Sequence, residues 1–161
     1  MHERSIAEEI AETLPRLRRF ARSLAGAVDG DDLAQSTVER ALSRTHLYEP
    51  GTRLDSWLFR IAQNLHRNDI KAARRREVPT EPEALADMGP VDDGDAEALL
   101  MLAEASDAID RLPPEQRAAL TLVAVEGRSY AEAAALLGWE FGTVASRVSR
   151  ARAALRARLE L

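Results

Sequence analysis

Apolar side chains recur at every third or fourth position along most of the chain, and this spacing restricts the fold more than any other feature. It begins with Ile6, Ile10, Leu14 and Leu17. A half-buried strand would instead alternate apolar and polar residues, and no such run is present. Alanine, leucine, arginine and glutamate, which all favour helix, dominate the composition. We therefore predict an all-α protein.

This pattern stops between residues 77 and 98. The segment contains prolines, glycines and eight acidic residues, and it lacks any basic residue. Such a composition favours an extended chain over a packed helix. We predict two small helical domains, residues 1–76 and 99–161, joined by an acidic linker at 77–98. From its composition, the linker is interpreted as a flexible spacer.

Three helices are predicted before the linker. The first spans Ile6 to Leu24 unless Pro15 interrupts it, because proline lacks the amide hydrogen that continues a helix. Gly26 and Gly30 are expected to separate it from the next helix. The other two are predicted from Asp31 to about Thr45 and from Leu54 to about Arg75.

The second half of the chain ends in a predicted helix-turn-helix. A helix from Leu99 to Arg111 stops at two prolines, and another is predicted from Glu115 to Val125. Ser129 and Glu132 fit a capping box at the start of a short helix that ends at Gly138. The helices of the motif are predicted at Tyr130 to Leu137 and at Phe141 to Leu159.

The last predicted helix is strongly basic. The whole chain has a formal net charge of −5, yet Phe141 to Leu159 contains five arginines and no acid. A helix-turn-helix places its second helix in the major groove of DNA, where residues near the helix start reach the bases. The alternative is a surface helix with solvated arginines. The candidates for contact with base edges or flanking phosphates are Thr143, Ser146, Arg147 and Arg150.

The third predicted helix combines an aromatic ring with amides and cations. Such a set suits unpaired DNA, because rings stack on bases while cations hold the backbone. Trp57 also falls at core spacing with Leu54, Leu58 and Ile61, so packing remains an alternative role for it. The candidate DNA-binding residues are Trp57, Arg60, Asn64, Arg67, Asn68, Lys71, Arg74, Arg75 and Arg76.

Four segments resemble the extracytoplasmic-function (ECF) sigma factors of bacterial RNA polymerase. DDLAQSTVERAL at 31–42 resembles their helix that binds core polymerase, and SWLFRIAQNL at 56–65 resembles their promoter-melting segment. LPPEQR at 112–117 matches the start of their second domain, and GTVASRVSRAR at 142–152 resembles their recognition helix. Two further segments, YEPGTRL at 48–54 and RRREV at 74–78, resemble the general-stress-response subgroup.

The resemblance implies a binding partner for each surface. Asp32, Gln35, Ser36 and Glu39 would bind the clamp helices of RNA polymerase core, although their pattern alone is that of an ordinary helix with a solvated acidic face. The loop His46 to Arg53 would hold a flipped base of the minus-ten element, and the third helix would hold the adjacent DNA. The last helix would bind the minus-thirty-five element. The linker would thread the polymerase channel as an RNA mimic, and an anti-sigma factor would control the protein.

Two positions depart from the family pattern. Ser36 stands where glutamate is common, which would weaken or retune docking on core polymerase. Ala145 stands where a basic residue is common, which would remove one contact with DNA. The rest of the pattern is intact in both segments.

Enzymatic and membrane functions are not expected. The chain has no cysteine, no glycine-rich phosphate loop and no metal-ligand spacing among His2, His46 and His66. No catalytic residue, metal or cofactor is predicted, and the lack of a signal peptide or membrane-spanning run predicts a cytoplasmic protein. Two other functions stay open. One is a sigma-like decoy that binds an anti-sigma factor without binding DNA, and the other is a conventional helix-turn-helix regulator.

Overall fold

The computed structural model describes residues 4–76 and 96–160. Within these ranges the chain is helical with short connections and contains no strand, which confirms the predicted all-α class. The predicted linker lies mostly outside the described residues. The α-helices are α1 (Ile6–Ala25), α2 (Ala27–Ser43), α3 (Leu54–Arg76), α4 (Ala96–Asp110), α5 (Pro114–Leu120), α6 (Tyr130–Leu137) and α7 (Phe141–Leu159). A 3₁₀ turn at Thr45–Leu47 follows α2, and a π-helical turn at Thr121–Val125 follows α5.

Helix α1 begins with a capping box and continues through its proline. Ser5 Oγ accepts from the Glu8 amide at 3.3 Å, and Glu8 Oε2 accepts from the Ser5 amide at 3.0 Å. Pro15 does not break the helix. It is exposed, while Leu14 and Leu17 on either side of it pack on the core, so burial of the helix face outweighs the lost hydrogen bond.

Helix α2 begins four residues earlier than predicted, and Gly30 is a helical residue rather than a break. A Cβ built on Gly30 would lie 2.5 Å from the Cα of Arg22. Glycine is therefore required where α2 approaches the backbone of α1. In the sequence alone, a glycine that allows close packing has the same appearance as one that marks a turn. The chain reversal between the two helices takes place at Gly26 alone, with a φ of 92°.

The remaining boundaries differ little from prediction. Residues 96–98, which were predicted as linker, form the first turn of α4, and α4 ends at Asp110. The helix predicted to reach Val125 changes at Thr121 into the π-helical turn, where the Glu126 amide donates to Thr121 O at 2.9 Å. Helices α6 and α7 have the predicted bounds.

The described helices share one continuous apolar core. α1, α2 and α3 pack on one another around Leu17, Phe20 and Phe59, with the two phenyl rings 4.7 Å apart. α5, α6 and α7 pack around Leu137 and Val148, and α4 lies on α7. The two groups also meet, because α1 packs on α5 and α3 packs on α6.

Candidate nucleic-acid interface

The acidic face of α2 is exposed as predicted. The side chains of Asp32, Gln35, Ser36 and Glu39 are exposed to solvent. Leu33, Ala34 and Thr37, which lie between them in the sequence, are buried. Gln35 Nε2 donates to Glu39 Oε1 at 3.3 Å along the helix. The neighbouring Asp31 is not part of this free face. It is paired with Arg22 at 2.9 Å, and the hydrogen bond from Arg22 outweighs partial burial and lowers the pKa of Asp31.

A cavity of about 210 Å³ lies between α2, the 3₁₀ turn and α3. Four of the predicted DNA-binding residues line it: Trp57, Arg60, Asn64 and Asn68. Leu47, which also lines the cavity, belongs to the predicted base-binding loop His46 to Arg53. The remaining lining residues were not among the predicted site residues, and they are Arg40, Arg44, Ile61 and Leu65. The cavity thus has an apolar lining with amides and three arginines, a combination suited to a planar base joined to a phosphate.

Arg40 and Arg44 carried a signal that could have located this cavity. They are four positions apart at the C-terminal end of α2, with Arg40 in its last turn and Arg44 as the residue that caps it, and this spacing is typical of side chains on one side of a helix. Their sequence spacing does not show that α3 presents Trp57 opposite them. That relationship depends on how the two helices pack.

The loop between α2 and α3 is held by its own side chains. Tyr48 Oη donates to Thr52 O at 2.8 Å, and Thr52 Oγ1 donates to Glu49 O at 2.6 Å. The rings of Tyr48 and Trp57 lie 5.2 Å apart, so the loop is anchored beside the cavity. Trp57 packs against the core and also lines the cavity, so its packing leaves part of the ring available to a ligand there.

The basic residues at the end of α3 fall into two groups. Lys71, Arg74, Arg75 and Arg76 are exposed along its last turns. Arg67 differs, because its Nη2 donates to Leu137 O at 3.2 Å and lies 3.4 Å from Gly138 O, an oxygen in the turn between α6 and α7. The structure therefore joins one predicted DNA-binding residue of α3 to the connection before α7.

Local sequence signals determine where α6 begins and ends and which face of α7 is buried. Ser129 Oγ accepts from the Glu132 amide at 3.1 Å, which is one of the two hydrogen bonds of the predicted capping box. Gly138 ends α6 in the left-handed conformation with a φ of 68°, and its amide donates to Ala134 O. Val144 and Val148 on α7 are fully buried, which leaves the opposite face of α7 towards solvent.

The four predicted recognition residues have different surroundings. Ser146 and Arg150 are exposed, and Thr143 is half-buried with its carbonyl accepting from Ser146 Oγ at 3.0 Å. Arg147 has an exposed side-chain fraction of only 23%, because it pairs with Glu115 at 2.8 Å and stacks on Trp139. Ala145 is half-buried between them.

Among residues 4–76 and 96–160, no group of three or more His, Cys, Asp or Glu side chains is arranged to hold a metal ion. No described helix is both long and apolar enough to cross a membrane. The arrangement of charge and rings is that of binding surfaces. These are an acidic helix face, an aromatic cavity rimmed by arginines, and a basic helix.

Two family models match the chain. Residues 10–63 match the Sigma2 domain of PhyR, and residues 102–155 match Sigma-70, region 4. The first match covers the acidic face and most of the cavity, and the second covers the helices that lead to α7. The matched segments lie on either side of the predicted linker.

Relatives match along nearly the whole chain. The ECF RNA polymerase sigma factor EcfG of Rhodopseudomonas palustris is 44% identical over 96% of this chain and 85% of that protein. SigE of Mycolicibacterium smegmatis, also an ECF RNA polymerase sigma factor, is 37% identical over 92% of this chain and 59% of that protein. Among solved structures, sigma factor RpoE in complex with the anti-sigma factor NepR, from Bartonella quintana, has a TM-score of 0.75 and 34% identity, with 96% of each chain covered.

Proposed function

Because this chain belongs to the ECF RNA polymerase sigma factor family, we propose that it binds RNA polymerase core and directs promoter-specific transcription initiation through the surfaces described above. The observation that carries the proposal is the 44% identity to a sigma factor along 96% of the chain. A conventional helix-turn-helix regulator would account for the C-terminal match but not for the match at residues 10–63.

Residues 1–76 form the domain that binds core polymerase and the minus-ten element. Residues 77–98 form the linker, and residues 99–161 form the domain that binds the minus-thirty-five element. The two family matches, each within one of these domains, support this division. The linker connects surfaces that must reach two separate promoter elements.

The acidic face of α2 docks on the clamp helices of core polymerase. Asp32, Gln35, Ser36 and Glu39 are exposed on one side of a helix whose other side is fixed in the core by Leu33. A rigid helix presents these side chains in a constant geometry, which limits the entropy lost on binding. Ser36 contributes a hydroxyl at the centre of this face in place of a longer acidic side chain.

The cavity between α2 and α3 accepts a base extracted from the minus-ten element. Extraction costs a few kcal/mol of stacking, and contacts with the base must offset it. Trp57 supplies a ring for stacking, Asn64 and Asn68 supply donors and acceptors, and Arg60 supplies positive charge for the attached phosphate. The loop His46 to Arg53 borders the cavity through Leu47. Lys71 and the exposed cluster Arg74 to Arg76 hold the DNA that continues along α3.

Helix α7 enters the major groove at the minus-thirty-five element. Ser146 and Arg150 face solvent on its first turns and are free to approach base edges. Thr143 lies closer to the body of the domain, and Arg147 is held by Glu115 and Trp139. Arg150 is therefore the strongest candidate for direct contact with a base or its phosphate.

An anti-sigma factor controls the protein, and the chain belongs to the general-stress-response subgroup. The segments YEPGTRL and RRREV support the subgroup. So do the match of residues 10–63 to a domain of PhyR and the likeness to an RpoE that was solved with the anti-sigma factor NepR. The partner would be a small helical anti-sigma factor that covers surfaces needed for DNA or core polymerase.

A second candidate function is a decoy that binds an anti-sigma factor without activating transcription. The observation that favours it is the match of residues 10–63 to the Sigma2 domain of PhyR, since the PhyR of Bartonella quintana is an anti-anti-sigma factor that was solved in complex with the anti-sigma factor NepR. The exposed arginines at the end of α3 and on α7 favour the sigma factor, because a decoy has no need of DNA-binding cations.

Reconstituted transcription tests these alternatives. The full chain and purified core polymerase are incubated with a library of promoters, and open complexes are detected by the reactivity of unpaired thymines. A sigma factor opens a subset of promoters that share two elements. A folded chain that binds core polymerase and opens none of them would contradict the proposal and support the decoy.

Trp57→Leu examines the cavity in the same assay. Leucine retains an apolar side chain for the core and removes the stacking ring. We expect fewer open complexes, with binding to core polymerase and to duplex minus-thirty-five DNA unchanged. An equal loss of all three activities would show that Trp57 acts through folding alone.

A further inference from the structure

The arginine and lysine side chains of residues 4–76 divide into those that have a carboxylate partner and those that have none. The paired ones are Arg4, Arg53 and the arginines of α1, which are Arg16, Arg18, Arg19 and Arg22. The cations at the end of α2 and along α3 form no ion pair with a described residue, and they are Arg40, Arg44, Arg60, Arg67, Lys71 and Arg74 to Arg76. The positive charge of α1 is therefore paired within the fold, whereas the charge at the end of α2 and along α3 remains available to an anion.

Three of these unpaired guanidinium groups line the cavity between α2 and α3. Arg40 and Arg44 belong to the end of α2, and Arg60 belongs to α3. The described residues that line the cavity include no carboxylate, and the other polar ones are Asn64 and Asn68. Like charges around one rim repel one another, so an anion placed among them is attracted by all three.

The guanidinium groups of Arg40 and Arg44 take no part in holding the described fold together. Arg40 contributes its carbonyl, which accepts from Ser43 Oγ at 2.8 Å. The amide of Arg44 donates to Ala41 O at 3.1 Å, and its carbonyl accepts from the Leu47 amide at 2.9 Å. All of these are backbone groups, and both arginine side chains are exposed. Replacing either side chain therefore leaves the contacts of the fold in place.

The sign of the charge changes along one side of α2. Asp32, Ser36, Arg40 and Arg44 follow one another at intervals of four and are all exposed, so the proposed docking face leads towards the cavity. An acidic docking face requires a partner surface of opposite charge, and such a surface would repel an arginine. Arg40 and Arg44 are therefore poorly suited to docking on core polymerase and well suited to an anion at the cavity.

A nucleotide extracted into the cavity brings two phosphates with it, one on each side of its sugar. Trp57 and Asn64 of α3 line the cavity where the base is proposed to lie, and Arg60 of the same helix can reach one phosphate. The second phosphate lies on the other side of the nucleotide, where the strand leaves the cavity past the end of α2. The planar guanidinium group of arginine donates two parallel hydrogen bonds to phosphate oxygens, which suits Arg40 and Arg44 to this position.

We propose that Arg40 and Arg44 bind a phosphate next to the extracted base, so that α3 holds the base while the end of α2 holds the backbone of the unpaired strand. This inference rests on the proposed function and assigns to α2 a second task besides docking on core polymerase. Contacts with phosphate position a strand and carry no direct information on its sequence. The two arginines therefore raise the affinity for the unpaired strand equally for every base in the cavity.

The test measures binding of the full chain with core polymerase to promoter DNA whose minus-ten strand is unpaired. Arg40→Gln and Arg44→Gln should each weaken binding about tenfold, the value of one hydrogen bond to a charged group, and should lower the salt dependence by about one counterion. The loss should be the same for all four bases at the extracted position. Arg111→Gln is the matched control, because this exposed arginine lies outside the cavity and pairs with Asp107. Unchanged DNA affinity, a loss confined to one base, or a loss of binding to core polymerase would overturn the proposal.

Neutral linkages identify the phosphate itself. Single phosphates of the unpaired strand are replaced in turn by an uncharged methylphosphonate. At one linkage the replacement should weaken binding of the wild-type chain and cause no further loss in Arg44→Gln, because the partner of that phosphate is already absent. Equal losses in the two chains at every linkage would contradict the assignment. If the wild-type chain opens no promoter with core polymerase, the proposed function fails, whereas binding of the same strands to the chain alone still reports whether Arg40 and Arg44 hold a phosphate.

Discussion

The guanidinium carbon of Arg147 lies 4.1 Å from the centre of the Trp139 ring, which places a cation directly against an aromatic face at the start of α7. The same guanidinium pairs with Glu115 of α5 at 2.8 Å. Arg147 therefore ties α7 to the turn before it and to α5. This contact gives Arg147 a different environment from Arg150, which is exposed, although both were predicted from sequence as contacts with DNA.

Arg147→Ala should lower the free energy of unfolding by about 1–2 kcal/mol, because the substitution removes a partly buried cation–π contact and an ion pair. Arg150→Ala is the matched control, and its exposed position predicts a change of less than about 0.5 kcal/mol. Urea denaturation followed by circular dichroism measures both. Equal stability of the two variants would contradict a structural role for Arg147.

Arg150→Ala should weaken binding to duplex minus-thirty-five DNA while the fold is retained. A loss of about 1–3 kcal/mol confined to one base position indicates contact with a base edge, and a uniform loss with a shallower salt dependence indicates contact with a phosphate. Fluorescence anisotropy with a set of single-base substitutions, repeated at several salt concentrations, distinguishes the two contacts. Unchanged affinity at all positions would remove Arg150 from the interface.

Gly30→Ala should destabilise the protein by about 1–3 kcal/mol, because the new methyl group would meet the backbone of Arg22 where α1 and α2 approach most closely. Gly142→Ala supplies the opposite case. A Cβ at this helical position of α7 has no neighbour within 4 Å. Alanine there should stabilise the helix by about 0.5–1 kcal/mol. Thermal unfolding of both variants should give shifts of opposite sign.

Asp55 should make the stability sensitive to acid. Burial alone would raise the pKa of Asp55, but hydrogen bonds from Arg53 and Arg16 and the charge of Arg128 outweigh it and lower this pKa to about 2 from 3.8. Because the folded-state pKa is the lower one, ionised Asp55 stabilises the fold above pH 3.8, and the contribution is lost as the pH falls towards 2.

Asp55→Asn should therefore cost about 3 kcal/mol at neutral pH, since it leaves the buried Arg128 without its counter-charge. The difference from the wild-type chain should shrink as the pH falls through this window. Asp31→Asn removes the same charge from an exposed pair with Arg22, so it should cost less than about 1 kcal/mol. A constant difference at all pH values would show that Asp55 does not act through its charge.

Charge reversal at Asp32 and Glu39 should weaken binding to core polymerase without unfolding the chain. Both side chains are exposed and lie on the docking face of α2. Glu12→Lys makes the same change of charge on α1, where the acid pairs with the exposed Arg4. Binding of labelled chain to core polymerase should fall for the α2 variants and not for the α1 control. Equal effects would indicate that net charge, rather than the docking face, governs binding.

Much of the fold could be predicted because the responsible signals are local. The bounds of α6 and α7 follow from Ser129, Gly138 and the spacing of Val144 and Val148, all of which act within a few residues of themselves. Gly30 was misjudged because its role depends on Arg22 in another helix. A glycine required by packing and a glycine required by a turn have the same appearance in a sequence.

The residues of the candidate site also fall into two groups, those that local periodicity predicts and those that depend on how the helices pack. Exposure of Asp32, Gln35, Ser36 and Glu39 follows from helical periodicity, so that face was predicted in full. Arg40 and Arg44 were missed, because they join Trp57 only when α2 and α3 pack together. Arg67 was assigned to DNA alone, because its carbonyl partners on the turn before α7 are about 70 residues away along the chain.

The sequence by itself determined the helical class, most helix ends and the character of each exposed face, because periodicity, caps and charge act over one or two turns of helix. The family followed from the resemblance of its motifs. Only the tertiary structure decided which faces meet. It formed the cavity from α2 and α3, seated Arg147 between Glu115 and Trp139, and enclosed Asp55 with Arg16 and Arg128. These contacts join residues far apart in the chain, and their energies depend on burial, which exists only once the helices have packed.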